Sequence, residues 1–94
     1  MSADIQTVRN DDRSRYEGRI DGELVTVLAY VRRDDVLDLT HTATEPEFRR
    51  RGLAGGVTRA ALDDVRHRGE KVHPSCPFAV AFLDDHPEYA DLRA

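Results

Sequence analysis

Arg49-Arg50-Arg51-Gly52-Leu53-Ala54-Gly55-Gly56 sits where a strand-like run gives way to the clearest helical run of the sequence. Gly52 permits backbone angles that other residues resist. The small residues Ala54, Gly55 and Gly56 let a bulky anion approach the main chain. The first turn of a helix presents N–H groups with no partner inside the helix, and the helix dipole adds partial positive charge there. Arg49, Arg50 and Arg51 add donors for charge-assisted hydrogen bonds. Together these features describe a cradle for a diphosphate. The competing reading is a glycine-containing turn with solvated arginines, because so short a pattern is weak by itself. The phosphate loop of nucleotide hydrolases ends in Gly-Lys-Ser/Thr and the dinucleotide loop reads Gly-x-Gly-x-x-Gly; neither pattern occurs here.

Downstream, Leu53, Val57, Ala60, Ala61 and Val65 recur at steps of three and four, which predicts a helix over 53–68. Arg66, His67 and Arg68 suit its C-terminal end, and Gly69 suits the stop. Residues 70–73 leave room only for a short strand before Pro74. Pro77 predicts the first turn of a last helix, capped by Ser75 or Cys76 and ended before Pro87. Upstream, residues 35–42 form a strand with Leu37, Leu39 and His41 on one face, broken at Glu45-Pro46-Glu47. Residues 15–20 and 23–33 flank Asp21-Gly22, the pair that suits a two-residue type I′ hairpin turn. The second arm is apolar on both faces (Val25, Val27, Ala29 and Val31; Leu24, Leu28 and Tyr30), which predicts a central strand. Residues 5–9 make a short first strand. The order is three or four antiparallel strands, a helix, a strand and a helix: an α+β fold with a mixed sheet. The unit over residues 35–73 is expected to be a right-handed crossover, which makes its two strands parallel.

A chain of 94 residues predicts one domain, residues 1–94. No apolar run approaches the roughly 20 residues of a membrane span. The polar N-terminus lacks the apolar core of a signal peptide. Cys76 is the single cysteine, which excludes an internal disulfide and the multi-cysteine zinc frameworks. A lone thiol suits a reducing compartment, so a cytoplasmic location is expected. No pair of histidines has a zinc-site spacing, and no metal is expected. Net charge is −4, which gives no drive toward nucleic acid despite thirteen Arg against one Lys.

His41-Thr42-x-x-x-Pro46-x-Phe48-Arg49-x-x-Gly52-Leu53-Ala54, then Pro74-Ser75-Cys76-Pro77-Phe78, then His86-Pro87-Glu88-Tyr89, resembles the small stand-alone N-acetyltransferase-domain branch of the GNAT superfamily. The resemblance covers residues 15–89. It implies a minimal GNAT-like fold: antiparallel strands, then a parallel strand–helix–strand unit whose strands splay apart, then a C-terminal helix. It implies acetyl-coenzyme A, or coenzyme A, in the gap between the splayed strands 35–42 and 70–73. The arm of the cofactor would bond the main chain at Thr42, Ala43 and Thr44. Its pyrophosphate would lie on Arg49, Arg50, Arg51, Gly52, Leu53, Ala54 and Gly55. Two features depart from the family: the N-terminal strand-and-helices region that grips acceptors in many members, and a tyrosine within the last helix, are both missing.

Cys76 falls between the second splayed strand and the last helix. A thiol at a helix N-terminus can have its pKa lowered from about 8.5 to roughly 3.5–7.5 and can act as a nucleophile. The alternative is a small buried apolar side chain, since free cysteine is among the most buried residues. His41, on the strand facing the gap, could take a proton from an amine or a thiol, or could be a satisfied strand histidine. Acetyl transfer to an unidentified amine is the expected function, with Cys76 and His41 as catalytic candidates. A non-catalytic module that holds acetyl-coenzyme A is the alternative. No nucleic-acid or membrane partner is expected, and oligomeric state is open. A ligand specific for the folded chain, at a hundred times its Kd, should add roughly 2.7 kcal/mol of stability. Thermal-shift measurements with coenzyme A, acetyl-coenzyme A and nucleotides read this gain, and an equal response to all three contradicts the cradle.

Overall fold

Two strand-forming runs meet at Asp21-Gly22, and the computed structural model, which describes residues 5–94, closes them into a hairpin. Asp21 and Gly22 both take positive φ (51° and 83°), as a type I′ turn requires. The arms are β2, Arg15–Ile20, and β3, Glu23–Arg33. β1, Gln6–Asn10, pairs antiparallel with β2, and a turn through Asp34 leads β3 into β4, Val36–Thr44. The helix α1 spans Leu53–Arg68 and ends at Gly69, whose left-handed backbone returns its N–H to Arg66 and Val65. Strand β5, Lys71–Pro74, lies parallel to β4, and α2 follows over Pro77–Asp85. The sheet order is β1-β2-β3-β4-β5. This is the expected α+β architecture with β3 at the centre. β4 extends two residues past the expected end at Thr42, because Thr44 still pairs with Thr26.

Both helices lie on one face of the sheet. Val57, Ala61, Leu62 and Val65 of α1 and Ala79, Phe82 and Leu83 of α2 join Tyr16, Leu28, Leu37, Leu39 and Val72 in one continuous core. Leu62 is deeper than the expected Leu53 and Ala60, which flank the interface. α1 sits close to the sheet over Gly18. A Cβ there would stand 2.4 Å from Val57 and 2.8 Å from Ile5 and Thr26. The far face carries no helix, and Val8 and Val31 are exposed on it.

Two bulges break the strict alternation of side chains. Partners jump from Thr26 to Leu24 opposite Gly18 and Arg19, which leaves Val25 extra. They jump from His41 to Leu39 opposite Ala29 and Tyr30, which leaves Thr40 extra. The second jump overturns the expectation that Leu37, Leu39 and His41 share a face. Leu37 and Leu39 face the helices, and beyond Thr40 that role passes to Thr42 and Thr44, opposite Leu28 and Thr26. His41 is exposed on the far face, opposite Ala29.

An ion pair buried under the sheet ties the first strand to the last. Arg9 Nη1 donates to Glu70 Oε1 at 2.7 Å, with side chains 3% and 7% exposed. The guanidinium also lies over the rings of Tyr16 and Tyr30. Breaking one partner of such a pair costs roughly 3–5 kcal/mol, whereas replacing both by apolar groups can be neutral. Arg9→Met should therefore lose about 3 kcal/mol in urea unfolding, and adding Glu70→Met should recover much of it. A double variant no more stable than the single one contradicts this account.

Candidate functional site

Strands β4 and β5 pair from Val36↔Lys71 to Leu39↔Pro74 and then part. The Lys71 and Ser75 amides both face β4, bonding Asp35 O and Leu39 O, so by alternation the Pro74 nitrogen faces away from it. The next two amides, Ser75 and Cys76, both donate to the Leu39 carbonyl, at 3.0 and 2.9 Å. A V-shaped gap opens beyond that point. Its β4 wall can be read from one bond: Glu45 N–H donates to Val25 O at 2.8 Å. Main-chain groups alternate along a strand, so Ala43 and Glu45 face β3 while Thr42 and Thr44 face the gap. Of the three residues expected to offer main-chain bonds there, Thr42 and Thr44 are so placed. Ala43 lies in the β3 ladder opposite Val27, and its carbonyl accepts from Thr26 Oγ1 at 3.0 Å.

The wide end of the gap meets the loop before α1. A 3₁₀ turn, Pro46–Phe48, carries the chain out of β4. Arg50 then takes φ 66° and Gly52 takes φ 73°, ψ 16°, directly before helical Leu53. A left-handed residue followed by a right-handed one turns successive N–H groups toward one point, an anion-binding nest. No side chain caps this end of α1, and the helical ladder begins with Gly56 N–H donating to Gly52 O. A cavity of about 250 Å³ adjoins it, lined by Thr44, Phe48, Phe78, Arg49, Arg50 and the chain from Gly52 to Gly55. No protein atom lies within 4 Å of where a Gly52 Cβ would stand. Arg49 Nε donates to Thr44 O at 3.3 Å and so braces the loop against β4. Arg51 lies outside the cavity lining, with its guanidinium over the Phe48 ring. Phe78, on α2, forms part of the cavity wall and is partly exposed.

Cys76 occupies the N-cap position of α2 and is 7% exposed. Its thiol lies 3.7 Å from Thr42 Oγ1. Burial pushes the thiol pKa up, but the Ala79 amide, the Thr42 hydroxyl, the Phe78 amide and the Thr42 amide favour the thiolate. Together they hold it below the ordinary thiol value. Ser75 does not cap the helix: its hydroxyl donates to Asp38 Oδ1 on the far face. His41 is likewise on the far face and does not share the Cys76 side of the sheet. Tyr89 is buried, and its hydroxyl donates to Asp63 at 2.8 Å, so it fastens the C-terminal 3₁₀ segment Pro87–Leu92 to α1. Thr42 as the partner of the thiol had no sequence signal beyond its place on β4. Among the described residues no three His, Cys, Asp or Glu side chains converge as a metal site would need.

The model of the GCN5-related N-acetyl-transferase family matches residues 15–92. The chain is 29% identical to protein NATD1 of Xenopus tropicalis over 92% of its own length and 81% of that protein's. It is 28% identical to mouse protein NATD1, over 88% and 77%. A GCN5-like protein from Staphylococcus aureus has the same fold, with a TM-score of 0.71 at 20% identity, over 100% of this chain and 91% of that one. The ribosomal-protein-S18-alanine N-acetyltransferase of Escherichia coli aligns with a TM-score of 0.64 at 18% identity, over 76% and 49%.

Alkylation tests the thiol. The folded pKa is lowered, so the thiolate should form at lower pH in the folded chain than in the unfolded one. The iodoacetamide rate, which follows the thiolate, should reach half its maximum at lower pH in native than in denatured protein. An inflection at or above the denatured one contradicts the amide donors.

Proposed function

The chain belongs to the GCN5-related N-acetyl-transferase family, and on that premise we propose that it moves an acetyl group from acetyl-coenzyme A to an amine. The observation that carries this reading is the uncapped start of α1, with its converging amides beside a cavity at the mouth of the β4–β5 gap. Amides from Gly52 to Gly55 hold the pyrophosphate, and Arg49 and Arg50 flank it. Arg51 stays at the rim, stacked on Phe48. The pantetheine arm lies in the gap against Thr42 and Thr44. Ala43 contributes by keeping β4 in register with β3.

The thioester then comes to the Cys76 end of the gap. The Cys76 thiolate attacks its carbonyl carbon, the carbon–sulfur bond to coenzyme A breaks, and the coenzyme leaves as a thiol after taking up a proton. A neutral amine then attacks the carbonyl carbon of the S-acetyl group, the carbon–sulfur bond breaks to release the Cys76 thiolate, and the proton of the new amide nitrogen passes to solvent. The amide and hydroxyl donors around the thiol favour the thiolate that this route needs. His41, separated from Cys76 by the sheet, serves as base for an amine arriving from the far face rather than for the thiol. We take residues 1–94 as one such domain in the cytoplasm. Among the described residues no helix is long and apolar enough to cross a membrane.

Coenzyme A affinity tests the cradle. A β-branched residue in left-handed backbone costs roughly 1–2 kcal/mol, so Gly52→Val should raise the Kd in calorimetry about tenfold. The reason is lost backbone shape, since no protein atom crowds the position. An unchanged Kd refutes the cradle. Across an amine panel, the parent should release coenzyme A in a burst and show an acetyl mass shift on Cys76. Cys76→Ser should be slower by at least about tenfold, because a hydroxyl is rarely ionised at neutral pH. A Cys76→Ser protein at the parent rate rejects the covalent route. Tight cofactor binding without any acceptor-dependent release makes the chain a binding module.

A further inference from the structure

Ser75 and Cys76 are consecutive, yet they face opposite sides of the sheet at the apex of the gap. Cys76 meets Thr42 on the helix side, and Ser75 meets Asp38 on the far side. Asp38 lies between the buried Leu37 and Leu39 and is paired with His73, one register step before the last pair, Leu39 and Pro74. From there a cavity of about 400 Å³ runs along the far face, lined by Arg33, Val36, Asp38, His73 and Ala94. That volume is in the range of small-molecule sites.

This cavity brings together one charge of each sign, Arg33 and Asp38. Eight of the thirteen arginines form ion pairs with carboxylates among the described residues. Arg33 has no such partner, and Asp38 makes no ion pair either, although both line the same cavity. One Asp38 oxygen is held by Ser75, which fixes the carboxylate. Val36 supplies an apolar surface between the charged groups.

We infer that this far-face cavity is the acceptor site, and that it takes a small zwitterion: an amine that also carries a carboxylate, such as a free amino acid. Asp38 receives the ammonium end near the apex, and Arg33 receives the carboxylate. The acceptor thus enters from the face opposite Cys76, and its ammonium gives up a proton to solvent before the neutral amine reaches the acetyl carbon at the apex. His73, beside Asp38, borders the amine. The inference rests on the acetyl-transfer reading for its purpose, but the binding it describes can be measured without turnover.

The experiment is an NMR titration of the full chain, with and without coenzyme A, using glycine, β-alanine, lysine, butylamine and butyrate. At least one of the amino acids should bind saturably and shift the Val36, Asp38, His73 and Ser75 amides. It should bind at least about tenfold tighter than butylamine or butyrate, as expected where each end finds an opposite charge. Arg33→Gln should reduce the amino acid to the affinity of butylamine, and Asp38→Asn should abolish amine binding, while Asp12→Asn leaves both unchanged. Each variant's amide spectrum away from the cavity reports whether it has folded; for a misfolded Asp38→Asn, Ser75→Ala, which frees the carboxylate to move, should weaken binding severalfold. No saturable binding by any probe, shifts centred elsewhere, or equal affinities in the Arg33 and Asp38 variants overturn the acceptor site. Failure of coenzyme A to shift residues 52–55 in the same samples defeats the cofactor reading instead.

Discussion

The Leu39 carbonyl accepts two consecutive amides, and that shared bond ends the pairing of β4 with β5. Everything at the gap follows from this stop. The chain must turn out of the sheet into α2, which sends Ser75 to one face and Cys76 to the other. The gap-facing main-chain groups of Thr42 and Thr44 are left without a neighbouring strand. The bulge at Thr40 places the Thr42 hydroxyl on the helix side, within reach of the thiol. One extra residue on one strand and two consecutive amides drawn to one carbonyl on the other mark the place where the parallel sheet opens.

Two helix starts then converge on the opening. α1 presents its uncapped amides at the wide end, and α2 presents Phe78 and Ala79 amides to the Cys76 thiol. Both favour negative charge, one on a bound group and one on sulfur. The arginines follow the same division. Eight are tied to carboxylates, whereas the three at the cradle, Arg49, Arg50 and Arg51, together with Arg13 and Arg33, have no acidic partner among the described residues. Positive charge is neutralised where it holds the fold together and left available beside the cradle.

The elements with a local cause were legible in the sequence. Asp21-Gly22 fixed the hairpin through its two positive φ angles, and the three-and-four spacing from Val57 to Val65 fixed α1. Gly52 was readable as the left-handed residue before a helix. The bulges were not readable, because Thr40 and Val25 carry no residue-type signal for being unpaired; only the partner strand reveals them. That is why His41 was expected on the wrong face. The Arg9–Glu70 pair was hidden for a related reason: it spans 61 positions, and long-range ion pairs leave no periodic trace.

Gly18 gives the fold a spacer of zero thickness. Any side chain there would have to lift α1, since Val57 and Thr26 already close on the position from above and beside it. Lifting α1 would raise its first turn relative to the end of β4, which Arg49 now braces. The clearance between the phosphate-facing amides and the floor of the gap is thus set by a missing methyl group on a strand that touches neither.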